Sequence, residues 1–333
     1  QRDLGDTHLV KSFSSYDKSV SSYFKNINSH FAYKDFRSLR KIMRSKNNFS
    51  DVELLINKLN SALLTVILLI IVLVNILLVE LIKTQGALPG IKVDKGLIPL
   101  DSSPEETITQ GLNGLDERCK EYFSLGAKFT KWRAVIKISD SIPSDECIKA
   151  NMQALARYAK IVQENNMVPM VEPEVLMDGN HSADDCYKKT SEVIKSCFDE
   201  LELNKVDLKG VILKPNMILP GSRSDKKISN EEIAKLTVKC LKDSVPSEVP
   251  GIAFLSGGQT DIEATENLNL INIHNNTNFI MTYSYGRALQ QSALKFWSKD
   301  IKNIKGTQEL FNHRANMCSL AAQGKWSKEL ENK

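Results

Sequence analysis

From about residue 86 onward the chain predicts a parallel α/β fold, either doubly wound or closed into a (β/α)8-type barrel. Three observations predict it. Short β-branched apolar runs alternate with longer amphipathic stretches. Charged residues and glycines fall on or just after those runs. No G-x-G-x-x-G follows any of them, which weakens the dinucleotide-binding alternative.

With 333 residues, 42% hydrophobic and 25% charged, the composition suits one large globular domain or two smaller ones. A net charge of +4 is too small to argue for nucleic acid as a partner, and it does not oppose an anionic substrate. The six cysteines contain no C-x-x-C pair and read as reduced, mostly buried thiols. The five histidines offer no H-x-x-x-H ligand pair, so neither a metal nor another cofactor is expected.

Residues 1–60 form a polar extension, basic from Lys34 to Lys46, and are expected to be poorly ordered. The 61–77 segment that follows is apolar, with no charge between Lys58 and Glu80. As a helix rising ~1.5 Å per residue it would span about 30 Å, enough to cross a bilayer. A membrane contact through residues 62–79 and a buried element are both open readings, and a helix is expected in preference to strands. Because the basic residues precede the run, a membrane helix would place the rest of the chain outside the cytosol.

Strands are then predicted at residues 90–94, 129–138, 168–171, 210–213, 252–256 and 279–284, with helical patterns at 144–165, 182–200 and 229–243. Ser229, three residues before Glu232, predicts a capping box.

The strands carry the chemistry. Lys214 ends the run Val211-Ile-Leu and precedes Pro215; partial desolvation there favours a neutral amine able to attack a carbonyl. A lysine merely snorkelling off a strand end is the bland alternative. Glu172 and Glu174, two apart in Val168-Pro-Met-Val-Glu-Pro-Glu174, face the same side of a strand and suit acid–base work on an imine. Lys131 and Arg133 repeat that spacing with cations, and a second lysine near the first favours its uncharged form. The competing reading for this pair is a solvated edge strand. Ser256-Gly257-Gly258-Gln259 and Ser284-Tyr285-Gly286-Arg287 end the last two strands, where exposed N–H groups and an arginine make a phosphate cradle.

Together these segments resemble the class I, Schiff-base fructose-bisphosphate aldolase family. The matching pieces are Pro89-Gly-Ile-Lys-Val-Asp-Lys95-Gly, Phe129-Thr-Lys-Trp-Arg133, Val168-Pro-Met-Val-Glu-Pro-Glu174, Leu213-Lys-Pro-Asn216, Phe254-Leu-Ser-Gly-Gly-Gln259 and Ser284-Tyr-Gly-Arg-Ala-Leu-Gln290. The resemblance runs from about residue 78 to 326, and Leu78–Gln85 is similar to the helix before the family's third strand. It implies a (β/α)8 barrel at 78–333, incomplete at its N-terminal end with six recognisable strands, and a glycolytic lyase acting on a sugar phosphate in the cytoplasm. It further implies a homo-oligomer, usually a tetramer. Lys214 would form the imine. Glu172 would dehydrate the carbinolamine, with Glu174 supporting it and Lys131 polarising substrate hydroxyls. Lys92 and Arg133 would favour the phosphate ends, and Ser256, Gly257, Ser284, Gly286 and Arg287 would hold one phosphate.

The chain also departs from the family pattern. Nothing in residues 1–77 resembles the family's first two strands or its Ala-Ala-Asp-Glu-Ser-Thr segment, which supplies an aspartate for C–C cleavage. The family's C-terminal tyrosine is missing as well, the last tyrosine here being Tyr285. Residues 1–77 are therefore expected to be foreign to the barrel, and cleavage to be impaired. The alternative is a catalytically inactive, membrane-associated scaffold that reuses the same surface.

Overall fold

The computed structural model describes residues 78–332. The predicted extension at 1–60, the apolar 61–77 segment and nearly all of the 62–79 membrane contact lie outside the described residues. Among those described, no helix is long and apolar enough to cross a membrane.

The described chain opens with α1 (Leu78–Thr84), β1 (Gly90–Lys92), β2 (Leu97–Leu100), β3 (Ser103–Thr109) and α2 (Leu115–Ser124). It continues through β4 (Phe129–Ile136), α3 (Asp145–Glu164), β5 (Val168–Val175), α4 (Ala183–Leu203) and β6 (Ile212–Leu213). Then come α5 (Asn230–Ser244), β7 (Gly251–Phe254), α6 (Asp261–His274), β8 (Ile280–Tyr283), α7 (Arg287–Lys299) and α8 (Ile304–Ala321). Six strands make one sheet in the order β1-β4-β5-β6-β7-β8, every neighbouring pair parallel. Parallel neighbours need crossovers, and a helix supplies each of them.

The predicted strands are all present, with altered ends. The 168–171 strand runs on to Val175, so Glu172 and Glu174 lie inside β5. The 210–213 strand shrinks to Ile212–Leu213, because Leu208–Gly210 forms a 3-10 turn with the Asp207 side chain accepting from the Lys209 N–H. The β2–β3 hairpin, antiparallel and separate from the main sheet, was not expected.

Helix starts follow side-chain chemistry. Ser182 with Asp185, and Thr260 with Glu263, form reciprocal capping boxes. At Ser229 only half of the predicted box forms: its side chain accepts from the Glu232 N–H at 3.2 Å. The core lies between sheet and helices. Trp132, Val171, Leu213, Ile252 and Phe254 are fully buried strand residues, and Trp132 stacks on Tyr158 of α3 with ring centroids 5.4 Å apart. All six cysteines are free and buried, as reduced thiols should be.

A candidate active site at the carboxyl ends of the strands

Alternation along β4 sorts its residues into two sets. Trp132 and Ala134 are buried in the core, whereas Lys131 and Arg133 keep partial exposure on the other face. The β4–β5 register sets Lys131 opposite Met170 and Arg133 opposite Glu172. Lys214 directly follows β6, and its backbone N–H extends the ladder by donating to the Val171 carbonyl at 2.8 Å.

Three predicted residues from three strands thereby meet at one carboxylate. Glu172 Oε1 lies 3.0 Å from Lys214 Nζ, and Glu172 Oε2 lies 2.8 Å from Lys131 Nζ. The Glu172 side chain is 4% exposed and that of Lys214 11%, so the pair is mostly desolvated yet open on one side. A solvated edge strand does not describe Lys131, since β4 is flanked by β1 and β5.

Beside this group, the Arg133 Nε donates to Glu174 Oε2. Burial opposes the guanidinium charge, but that bond and the charges of Glu174, Glu172 and Asp94 outweigh it, and its pKa is raised. Past the end of β1, Asp94 is buried. It receives Lys92 Nζ at 2.6 Å and, more weakly, the Arg133 N–H at 3.4 Å. Lys92 itself stands in solvent. Lys92, Lys131, Arg133 and Lys214 thus set four cations against the three carboxylates Asp94, Glu172 and Glu174. Such a surface attracts anions.

The two glycine turns follow β7 and β8. A Cβ built on Gly257 would lie 3.6 Å from Glu174 Oε1, so this turn abuts the carboxylate cluster. The turns are joined at their base, where the Ser284 N–H donates to the Phe254 carbonyl at 2.8 Å. Gly286 is the N-cap of α7 and has no side-chain cap; it and Arg287 are exposed. The side chains of Ser256, Ser284 and Arg287 make no hydrogen bond or ion pair among the described residues. No hydrogen bond or ion pair joins Ser284, Gly286 or Arg287 to Glu172 or Lys214 among the described residues; they form a second group.

Sequence reasoning passed over three residues inside motifs it had singled out. Asp94 pairs with Lys92. Asn216 is a buried bolt: its Oδ1 accepts from the Val175 N–H at 3.1 Å, and its Nδ2 donates to Thr190 Oγ1 at 3.0 Å. Tyr285, buried inside the second turn, bonds across to α6. The motifs carried these residues, but their partners lie 21 to 41 positions away or, for Asp94, looked like an ordinary surface acid.

Among the described residues no group of three or more His, Cys, Asp or Glu side chains is placed to hold a metal ion. The chemistry on offer is a desolvated amine, a carboxylate within proton-transfer distance of it, and an anion-attracting rim.

The family model described as Glycolytic: Fructose-bisphosphate aldolase class-I matches residues 57–333, a span that includes the 61–77 segment. A probable fructose-bisphosphate aldolase class 1 of Xylella fastidiosa is 51% identical over 243 residues, 73% of each chain. The cytosolic fructose-bisphosphate aldolase 4 of Arabidopsis thaliana is 49% identical over 249 residues, 74% of this chain and 63% of that relative. Among solved structures, the Plasmodium falciparum fructose-bisphosphate aldolase, in complex with TRAP and a small-molecule inhibitor, superposes with a TM-score of 0.75 at 44% identity. It covers 76% of this chain, which covers 74% of it.

Proposed function

The chain belongs to the class I fructose-bisphosphate aldolase family, and from that premise we propose that it cleaves fructose 1,6-bisphosphate reversibly through an imine on Lys214. The single observation that carries the reading is the shared carboxylate: Glu172 lies 3.0 Å from Lys214 Nζ and 2.8 Å from Lys131 Nζ.

The roles follow from reach. Lys214 passes a proton from its ammonium to Glu172, 3.0 Å away, and the freed amine adds to the C2 ketone of the open-chain sugar. Glu172 hands a proton to the resulting hydroxyl, which leaves as water, and the protonated imine remains. That imine accepts the electron pair of the C3–C4 bond as it breaks, the C4 hydroxyl gives its proton to water, and glyceraldehyde 3-phosphate departs. The enamine is then protonated at C3, and hydrolysis releases dihydroxyacetone phosphate. The electron sink is the imine itself. Lys131 polarises substrate hydroxyls, Glu174 holds Arg133, and Arg133 with Lys92 draws in the phosphate ends. Ser256, Gly257, Ser284, Gly286 and Arg287 hold one phosphate, the side chains of Ser256, Ser284 and Arg287 having no other hydrogen-bond partner among the described residues.

The six-stranded sheet corresponds to six of the eight strands of a (β/α)8-type barrel, with β1 and β8 as its end strands among the described residues. The 333 residues hold no counterpart of the Ala-Ala-Asp-Glu-Ser-Thr segment, so the C4 hydroxyl lacks its usual base. The loss of such an acid–base slows turnover by roughly 10²–10⁴-fold. The chain works in the cytoplasm as a homo-oligomer, a tetramer by family resemblance.

A cleavage assay at high enzyme concentration tests the reading. Turnover should be slow, unchanged by a chelator, and abolished in Lys214→Met. Activity that survives Lys214→Met, or that the chelator removes, would overturn it.

A further inference from the structure

We infer that Tyr285 is the positioning residue that fixes the second glycine turn against the first, and so sets the affinity of the site for a substrate phosphate. The inference rests on the phosphate assignment proposed above.

The backbone ladder between β7 and β8 ends with the Ser284 N–H on the Phe254 carbonyl. Beyond that point both chains leave the sheet, and Gly286 and Arg287 project into open space. A Cβ added at Gly286 would meet nothing within 4 Å, so packing at that residue does not hold the turn. Neither does a cap, since α7 starts without a side-chain acceptor at its first N–H groups. Gly286, at the N-cap, and Arg287 are among the residues assigned to the phosphate. Unbraced donors would have to be ordered on binding, which weakens affinity.

Tyr285 supplies the brace from within the turn. It is buried at 7% exposure, and its hydroxyl donates to the Ala264 carbonyl of α6 at 2.8 Å. Its ring lies against that of Tyr283, centroids 5.3 Å apart. α6 is the helix into which the first turn feeds, through the Thr260 capping box. One hydroxyl therefore ties the two halves of the cradle together. A second tie lies further along, where Ser292 Oγ of α7 donates to Asp261 at the start of α6. That bond is a full helical turn beyond the donors, so it holds the helices and leaves the turn itself to Tyr285.

A buried tyrosine hydroxyl commonly serves stability alone, and the test must separate the two roles. Trap the Lys214 imine in the full chain with borohydride over a range of dihydroxyacetone phosphate, and in parallel of unphosphorylated dihydroxyacetone. Compare wild type, Tyr285→Phe and Arg287→Ala, checking each fold by circular dichroism. In Tyr285→Phe the half-saturating concentration of the phosphorylated ketone should rise roughly three- to tenfold, the worth of one buried hydrogen bond, while that of dihydroxyacetone stays put. Arg287→Ala should raise the phosphorylated value at least as much. If Arg287→Ala weakens phosphate preference and Tyr285→Phe does not, the inference is wrong and the phosphate assignment stands. If Tyr285→Phe weakens both ketones equally, its role is structural and the inference again fails. If Arg287→Ala changes neither, the phosphate assignment falls and takes the inference with it.

Discussion

Glu172 is the residue on which the candidate chemistry turns, because among the described residues it is the carboxylate paired with both lysines. The sequence made this legible through spacing: Glu172 and Glu174 at i and i+2 on one strand, Lys131 and Arg133 likewise on another. Two strands in parallel register convert those spacings into the two ion pairs, Lys131 with Glu172 and Arg133 with Glu174. Glu172→Gln should keep the fold and slow formation of the trappable imine by roughly 10²–10⁴-fold, as loss of a general acid–base does. The measurement is the initial rate of borohydride-dependent adduct formation with dihydroxyacetone phosphate. A rate within about threefold of wild type would remove Glu172 from the mechanism. Asp94 was not legible, because an acid two residues from Lys92 reads as half of an ordinary surface ion pair, and nothing in sequence marks it as buried.

Strands β4, β5, β7 and β8 announced themselves as dense apolar runs, whereas the β2–β3 hairpin stayed hidden behind Pro99, Pro104 and adjacent acids. Helix α6 was also passed over, since Ile262 and Ile273 face solvent while Asn267 and Asn269 are buried, so its pattern lacks a clean apolar stripe. Two buried polar ties hold the elements in register, and each carries a prediction. Asn216→Ala cuts the bonds that join β5 to the loop after Lys214 and to α4. It leaves buried groups unpaired and should cost about 2–3 kcal/mol, seen as a lower urea midpoint. An unchanged midpoint would show that the loop needs no such bolt. Glu106 on β3 accepts from both the N–H and the hydroxyl of Ser144 at the start of α3. Burial raises its pKa, but these bonds, with smaller help from Ser103 and Cys147, outweigh burial and hold it below the usual 4.5. A depressed folded pKa stabilises above that ordinary value, and the contribution is lost as pH falls through the lowered one. Glu106→Gln should therefore lower stability near neutral pH and flatten its decline in acid, read from thermal melts between pH 3 and 7. A melt profile parallel to wild type across that range would contradict the assignment.

On the scale of the whole molecule, the sheet's parallel order brings the ends of β1, β4, β5, β6 and β7 to one rim, where chemistry from five separate segments meets. Parallel sheets concentrate function at that rim because every strand ends there and a loop begins. The family match from residue 57 takes in the apolar 61–77 segment, yet that segment contains no acid to serve the cleavage step. Two steps can therefore be tested apart: imine formation, for which the described residues hold the groups, and C–C cleavage, for which residues 78–332 hold no counterpart of the Ala-Ala-Asp-Glu-Ser-Thr aspartate. The most direct test isolates the first step in the unaltered 333-residue chain. Incubate it with dihydroxyacetone phosphate, reduce with borohydride, digest, and locate the adduct by mass spectrometry. The account predicts a single stable adduct on Lys214. An adduct on Lys131 or another lysine with Lys214 unmodified, or no adduct at saturating ketone, would contradict it.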